Sequence, residues 1–412
     1  AGRYRNPTSL RASKALKDSE ERNLISWHPR VLDYLTANRH NVHKYLNVLA
    51  DVKIQPTAEN PLRGFEGFSG LESTVIGHPK QNLRSLPILE GYPHKILMST
   101  GAVTRPNYTD TKSGKKGEFH HTYGFLVVEV KDNETFLIRN VEVCGNGEFT
   151  DLTRNVKDGR ITYVNECEGI VLGDLHCGST DEDLIDATFD LMSELTPKAV
   201  VLHDVFDGYS ISHHHEKDPF LKHKKMLDDK HLVDLEVDDM LSYLERFNIF
   251  VEVYIVKSNH DTHVDRYLRE RDWKKDIANS LSYMRLATAI LEGRAENGII
   301  PYKISERYPE YTCLGLNDSL MIGGIECALH GDKGANGSRG SATQFKNLNV
   351  KTTTAHSHSP NMTGGSHTVG TSTHLRLEYN DGLSSWMHAH EIIDRNGKRQ
   401  MIMFIDNQYT TL

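Results

Sequence analysis

Gly169-Ile170-Val171-Leu172-Gly173-Asp174-Leu175-His176-Cys177-Gly178 is the stretch whose reading decides the fold. A short apolar run delivers an aspartate and a histidine, two residues apart, at its end. The glycines around it let the backbone turn sharply and come close to a ligand. In extended chain, residues i and i+2 face the same way, so Asp174 and His176 can converge on one point. A hard carboxylate oxygen beside an imidazole nitrogen suits a first-row metal ion.

Working outward, the pattern repeats. Ser179-Thr180-Asp181-Glu182 has the character of a helix start, and Leu184, Ile185, Thr188, Met192 and Leu195 supply a buried helical face. Pro197 ends that helix, and Ala199–Leu202 reads as a second strand. A helix over about 226–247, a strand over 250–256 and another helix over about 264–292 follow. This βαβαβ alternation predicts an α/β fold with a mostly parallel sheet and covering helices. Ligands collect beyond the carboxyl ends of such strands. The last quarter returns to strands: 320–330, 350–354, and a β-meander over 374–379, 385–393 and 401–405, with turns at Asp381-Gly382 and Asn396-Gly397.

Upstream, residues 1–60 read as a helical N-terminal region, because Leu32, Leu35, Val42, Leu46 and Leu49 fall near helical spacing. A Gly- and Pro-rich linker (Pro61, Gly64, Gly67, Gly70, Gly77, Pro79) opens a β-rich accessory region over 61–165, with strands at 95–98, 124–130 and 136–143. Within it lies a polar insertion, 101–121, carrying the basic run Lys112, Lys115 and Lys116. The pair His120-His121 reads as a satisfied structural pair or, alternatively, as part of a site. The third unit, 166–412, holds the alternation and the meander.

Composition narrows the class. Forty-eight Lys and Arg against 56 Asp and Glu leave a net charge of −8, which excludes a wholly basic nucleic-acid coat but not a nuclease whose metals bring their own charge. The 23 histidines crowd into the later half beside Asp, Asn and Gly. Five scattered cysteines without CxxC pairing fit a reduced compartment, with the cytoplasm as the default. No apolar run is long enough for a membrane span, and the basic, polar start (Arg3, Arg5, Arg11, Lys14, Lys17) has no apolar signal core.

In chain order the strand-end groups are Asp174/His176, Asp204/Asp207, Asn259/His260/Asp261, His330 and His356/His358. They stand as Gly173-Asp174-Leu175-His176, His203-Asp204-Val205-Phe206-Asp207-Gly208, Ser258-Asn259-His260-Asp261, His330 and Ala355-His356-Ser357-His358. This order resembles the calcineurin-like metallophosphoesterase superfamily (DxH, GDxxD, GNHD or GNHE, a lone His, GHxH) over about residues 166–360. His203, Ser258 and Ala355 stand where that pattern has glycine. Serine and alanine are small, whereas His203 either alters its turn or touches substrate itself.

The resemblance implies an αββα sandwich and a two-metal site. Asp174, His176 and His358 would hold one divalent ion. Asn259, His330 and His356 would hold the second, with Asp204 bridging both. Two such ions lower the pKa of a bridging water and clamp a phosphoryl group. The nitrogen and oxygen ligand set favours manganese, with iron, zinc or magnesium as alternatives. His260 would act as general acid or stabiliser of the departing oxygen, oriented by Asp207. Cys177 needs no role beyond packing.

The lone histidine followed by a Gly-rich loop, and the flanking regions, look like the nuclease branch typified by SbcD. The segment 99–122 is similar to what precedes the phosphoesterase core in tailed-phage proteins, DNases of genome entry and host-DNA breakdown among them. The expected function is therefore a DNase hydrolysing phosphodiester bonds with a metal-bridging hydroxide, acting in the host cytoplasm if phage-encoded. A phosphomonoesterase acting on nucleotides or phosphoproteins is the alternative, and a binding protein with a structural metal the third. DNA is the expected partner; a homo-oligomer is allowed. The phosphate backbone would be met by Lys112–Lys116, by the stretch from His213-His214-His215 to Lys225, and by Arg266, Arg269 and Arg271, each of which is otherwise a solvated surface.

Overall fold

The computed structural model describes residues 33–411, apart from 35, 37, 53, 107, 250, 251, 349 and 379. The expectation for residues 1–32 lies outside these.

The chain builds a mixed α/β architecture around an eight-stranded sheet and a ten-stranded sheet. In the first, Cys167–Val171, Pro197–His203, Glu252–Val256 and Thr312–Leu314 run parallel, as the alternation predicts. Ala389–Ile393 then pairs antiparallel to Cys167–Val171 and carries the sheet on through Arg399–Met403, Phe136–Glu142 and Gly124–Val130. These strands are apolar on both faces because both faces are covered. Val200 and Leu202 point to the helices Glu182–Leu195, Val233–Leu244 and Ile299–Arg307, meeting Leu191, Met240 and Ile304. Val171, Val201 and Ile393 point the other way, to Leu83, Met98, Ile325 and Met362 of the ten-stranded sheet. Each such buried aliphatic side chain contributes roughly 1.5–3 kcal/mol. The outer face of the ten-stranded sheet buries Leu49, Ile76, Leu86 and Leu97 under Leu62, Ile54 and Phe65 from an adjoining loop.

Several expectations give way to tertiary context. Residues 39–49 form a hairpin, Arg39–His43 with Leu46–Leu49, rather than a helix. Leu46 and Leu49 sit three apart, a spacing that also places them on opposite faces of a strand, and the two faces bury them in different cores. Nor is 61–165 a separate unit. Its strands Ser73–Ile76, Leu83–Leu86 and Lys95–Ser99 join the ten-stranded sheet with 321–368, and its strands 124–142 join the eight-stranded one. The basic insertion is partly helical, Lys112–Phe119, capped by Thr111. The helix expected over 226–247 divides into Pro219–Leu227 and Val233–Leu244, with Asp229 in the left-handed region between them. That over 264–292 divides into Thr262–Glu270 and Ser280–Leu291. Gly323 and Gly324, both at positive φ, fold 320–330 into a short hairpin. Of the meander, residues 374–378 form no strand; Ala389–Ile393 and Arg399–Met403 pair across the Asn396-Gly397 turn.

This topology puts two sets of strand ends at one place. Val171, His203 and Val256 close strands of the first sheet, and Thr354 closes a strand of the second. The segments that follow converge where the sheets meet.

Candidate metal centre

The convergence starts in the backbone. Leu175, His176 and Cys177 donate their N–H groups to the carbonyls of His203, Asp204 and Val205, so the first two motifs are knitted together. Ala355 donates to the carbonyl of His330. A Cβ on Gly173 would lie 2.8 Å from the carbonyl carbon of Gly370 and the backbone of Thr371, so only glycine lets that segment pass. His176, Asp204, His356 and His358 all adopt left-handed φ of 41° to 71°. Non-glycine residues in that region carry strain, of order 1–3 kcal/mol each, and such strain gathers at functional sites.

The side chains meet at Asp204. Its Oδ2 lies 3.3 Å from His176 Nε2 and 3.5 Å from His330 Nε2. On one side, His358 Nε2 is 3.0 Å from Asp174 Oδ2 and 3.2 Å from His176 Nε2. On the other, His330 Nε2 is 3.1 Å from Asn259 Oδ1, and the His330 and His356 rings are 5.1 Å apart. Asp174, His176, Asp204, His330 and His358 are all buried. Asp174 Oδ1, Asp204 Oδ1, Nδ1 of His330 and His358, and both ring nitrogens of His203 lack a hydrogen-bond partner among the described residues, and Asp174 Oδ2 has only His358 Nε2.

Orphaned polar atoms at this depth are costly unless something completes them. Asp174, His176, Asp204 and His358 can hold a metal ion, each offering a ligand atom within 4.8 Å of the others. Electrostatics agree in direction. Burial alone would raise the Asp174 and Asp204 carboxyls, but the surrounding imidazoles outweigh it and hold both below the usual range. Burial likewise opposes charge on His176, yet Asp204, Asp207 and Asp174 raise it to about 9.

Two readings meet the geometry here. Asp207 does not orient His260 through its carboxylate. Its Oδ1 takes the Nδ1 side of His176 at 2.9 Å, while His260 Nδ1 lies 2.6 Å from the Asp207 backbone carbonyl and 3.8 Å from the carboxylate. The spacing Asp-x-x-Asp cannot reveal which acceptor a histidine elsewhere in the chain will reach. His203, read as altering its turn or touching substrate, is not among the residues that line the cleft onto the centre. It is fully buried, stacks on His330 at 5.7 Å, and burial pushes its pKa down to about 3.

The outlying histidines and cations sort differently. His121 is a structural residue, satisfied by Tyr108 Oη and the Thr104 carbonyl at 2.9 Å each. Lys115 pairs with Asp110 and Glu118, and Lys116 with Glu59. Lys224 pairs with Glu378, and Lys225 is buried with Nζ donating to the Tyr209 carbonyl. Arg266 and Arg271 pair with Glu270 and Glu216. Most of the expected phosphate track is thus neutralised by its own neighbours. His213 does approach the site: its ring is 5.5 Å from His263, which is 4.8 Å from His260.

A cleft of about 620 Å³ opens onto the centre. Asp204, His260, His356 and His358 form its floor, and Arg84, Arg339 and Trp386 line its walls. Sequence reasoning missed all three wall residues. Arg339, in the Gly-rich loop after His330, carried the only available signal.

Among the described residues no helix is long and apolar enough to cross a membrane. All five cysteines are free thiols. "Protein A1" of Escherichia phage T5 is 35% identical over 384 residues, which span 88% of this chain and 68% of that protein. No family model matches, and no solved structure matches.

Proposed function

Since the chain belongs to the family of phage T5 Protein A1, we propose that it is a phage metal-dependent phosphodiesterase that hydrolyses DNA, built on the calcineurin-like metallophosphoesterase plan. The observation that carries this reading is the pair of buried carboxylates, Asp174 and Asp204, with orphaned oxygens and four histidines around them, three of which share strained backbone with Asp204. A structural metal needs one closed ligand set. Here two sets share Asp204 Oδ2, and His260 stands beside them, half-buried and facing the cleft.

Asp174, His176 and His358 would hold one divalent ion, Asn259, His330 and His356 the other, and Asp204 both; oxygen and nitrogen donors without thiolate suit manganese. Bound there, the ions would supply Lewis-acid polarisation of the phosphoryl group and an activated water. The chain's own residues do the rest. Asp207 fixes the ring of His176 through Nδ1. The Asp207 carbonyl fixes His260 Nδ1, so that Nε2 is the atom left to give a proton to the departing oxygen. Ser258 N–H and Asp261 Oδ2, 2.9 Å apart, hold the turn that presents Asn259 and His260. The reading places the protein in the host cytoplasm, where its free thiols would stay reduced.

The test is incubation of the purified chain with labelled linear and circular DNA in manganese, beside bis-p-nitrophenyl phosphate and p-nitrophenyl phosphate. Cleavage of DNA and of the diester is expected, and should be abolished by EDTA. Robust monoester turnover with intact DNA would sink the proposal in favour of a phosphomonoesterase.

A further inference from the structure

Arg339 stands out among the cations near the centre. Arg84, on the same cleft, is paired with Glu66 at 2.5 Å. Arg339 is exposed and has no carboxylate partner among the described residues. Its place on the wall is set by the loop after His330. Lys333 and Arg339 bridge antiparallel, and Gly340 N–H donates to the Asp332 carbonyl at 2.8 Å. A Cβ on Gly340 would lie 1.9 Å from the Gly331 carbonyl oxygen, so the loop closes tightly only with glycine there. Gly331 in turn packs on Ala355 and His356. The loop that carries Arg339 is therefore held against the segment of His356, and both line the cleft.

Trp386 lines the same cleft and meets the His358 ring edge-to-face at 4.1 Å. The polar wall is otherwise hydroxyls, including Ser357, Ser359 and Ser385. Among the described residues Asp204 is the only carboxylate in the lining, although the chain as a whole is acidic. A cation for the backbone, an indole for a base and a cleft cleared of acid are the elements of single-strand recognition. About 620 Å³ lies within the range of pockets that enclose a small ligand. An indole within such a pocket is reached by an unstacked base, not by a paired one.

We infer that this cleft is a single-strand subsite, in which Arg339 holds the phosphate next to the one cleaved and Trp386 stacks on the adjoining base. The inference rests on the phosphodiesterase reading for the position of the cleaved bond, but the subsite binds without chemistry.

Binding is therefore measured in EDTA, by fluorescence anisotropy of a labelled single-stranded oligonucleotide of about ten nucleotides, with the duplex of the same sequence in parallel. The full chain should bind the single strand more tightly. Arg339→Gln should weaken it by about tenfold and reduce the salt slope by about one. Trp386→Leu should weaken it by about tenfold, and Trp386→Phe should restore most of the loss. Equal or tighter binding of duplex, no binding of the single strand, an unchanged salt slope in Arg339→Gln, or failure of Phe to rescue would overturn the inference. Turnover of bis-p-nitrophenyl phosphate in manganese separates the two proposals. Diester hydrolysis with variants that bind like wild type defeats the subsite alone. Single-strand binding with the expected losses, but no hydrolysis of diester or DNA, defeats the phosphodiesterase reading alone.

Discussion

Between the two sheets, Glu391 accepts a hydrogen bond from Thr353 Oγ1 at 2.5 Å and pairs with His367 Nδ1, with Arg399 Nη1 at 3.9 Å. Arg399 also donates to the carbonyls of Thr352 and Gly365. Where the strands of those sheets end, Asp174 and Asp204 lie as deep, among four histidines rather than one, yet oxygens of both are left over. The two clusters share residue types and burial. They differ in partners and in backbone: His367, Glu391 and Arg399 are not among the left-handed residues, whereas His176, Asp204, His356 and His358 are. The closed cluster spends its charges on the protein and ties one sheet to the other. The open one keeps strained, unpartnered donors for something the chain does not supply. Burial of histidine and carboxylate alone distinguishes nothing; since Arg399 Nε is unpartnered too, it is the unmet carboxylate oxygens and the backbone that do.

The comparison can be broken first at Asp204. Asp204→Asn should reduce DNA cleavage by more than about a thousandfold, ~4 kcal/mol of barrier, and lower the manganese content seen by metal analysis. Unchanged manganese content in the folded variant would put Asp204 in the closed class instead.

Glu391→Gln should do the reverse. Removing one partner of a buried pair leaves Arg399 uncompensated and should cost roughly 3–5 kcal/mol in denaturant unfolding. Metal content per folded molecule should stay at the wild-type level; loss of metal would mean that the two clusters are one.

Glu236 asks whether donors or burial decide a carboxylate's cost. It accepts from the N–H groups of Tyr209 and Ser210 and from Ser210 Oγ, bracing the turn after Asp207, yet burial pushes it up to about 7. An acid whose pKa is raised on folding costs nothing below its unfolded value of 4.5, and costs progressively more as pH rises towards 7. Wild type should therefore lose stability relative to Glu236→Gln across that window, by at most roughly 3 kcal/mol. A flat difference between pH 4 and 8 would show that the three donors cancel the burial.

The smallest effect sharpens the open site. Asp207→Asn should weaken manganese binding by about 10–100-fold, as expected when the partner of a ligating histidine is lost. Binding measured by calorimetry that stays unchanged while turnover falls would return Asp207 to His260.

Much of this was legible beforehand for a definite reason. The ligand candidates are read from local pattern, since Asp174/His176 and His356/His358 share a side by period-two spacing and the first three groups follow apolar strands. The parallel strands were legible because burial on both faces leaves continuous apolar runs such as Ala199–Leu202. The partner choices were not. His176 rather than His260 receives the Asp207 carboxylate, and Lys116 is neutralised by Glu59, through contacts between residues 31 and 57 positions apart.

What the sequence by itself determined was therefore the identity of the chemical groups and the order in which strand ends deliver them, because both follow from short-range periodicity. Tertiary structure alone decided that 61–165 is woven into both sheets, that His203 is sealed away, and that Arg339 and Trp386 face the same cleft. Those outcomes depend on which surfaces pack together across hundreds of residues. Packing is a property of the assembled layers, and no stretch of the chain carries it.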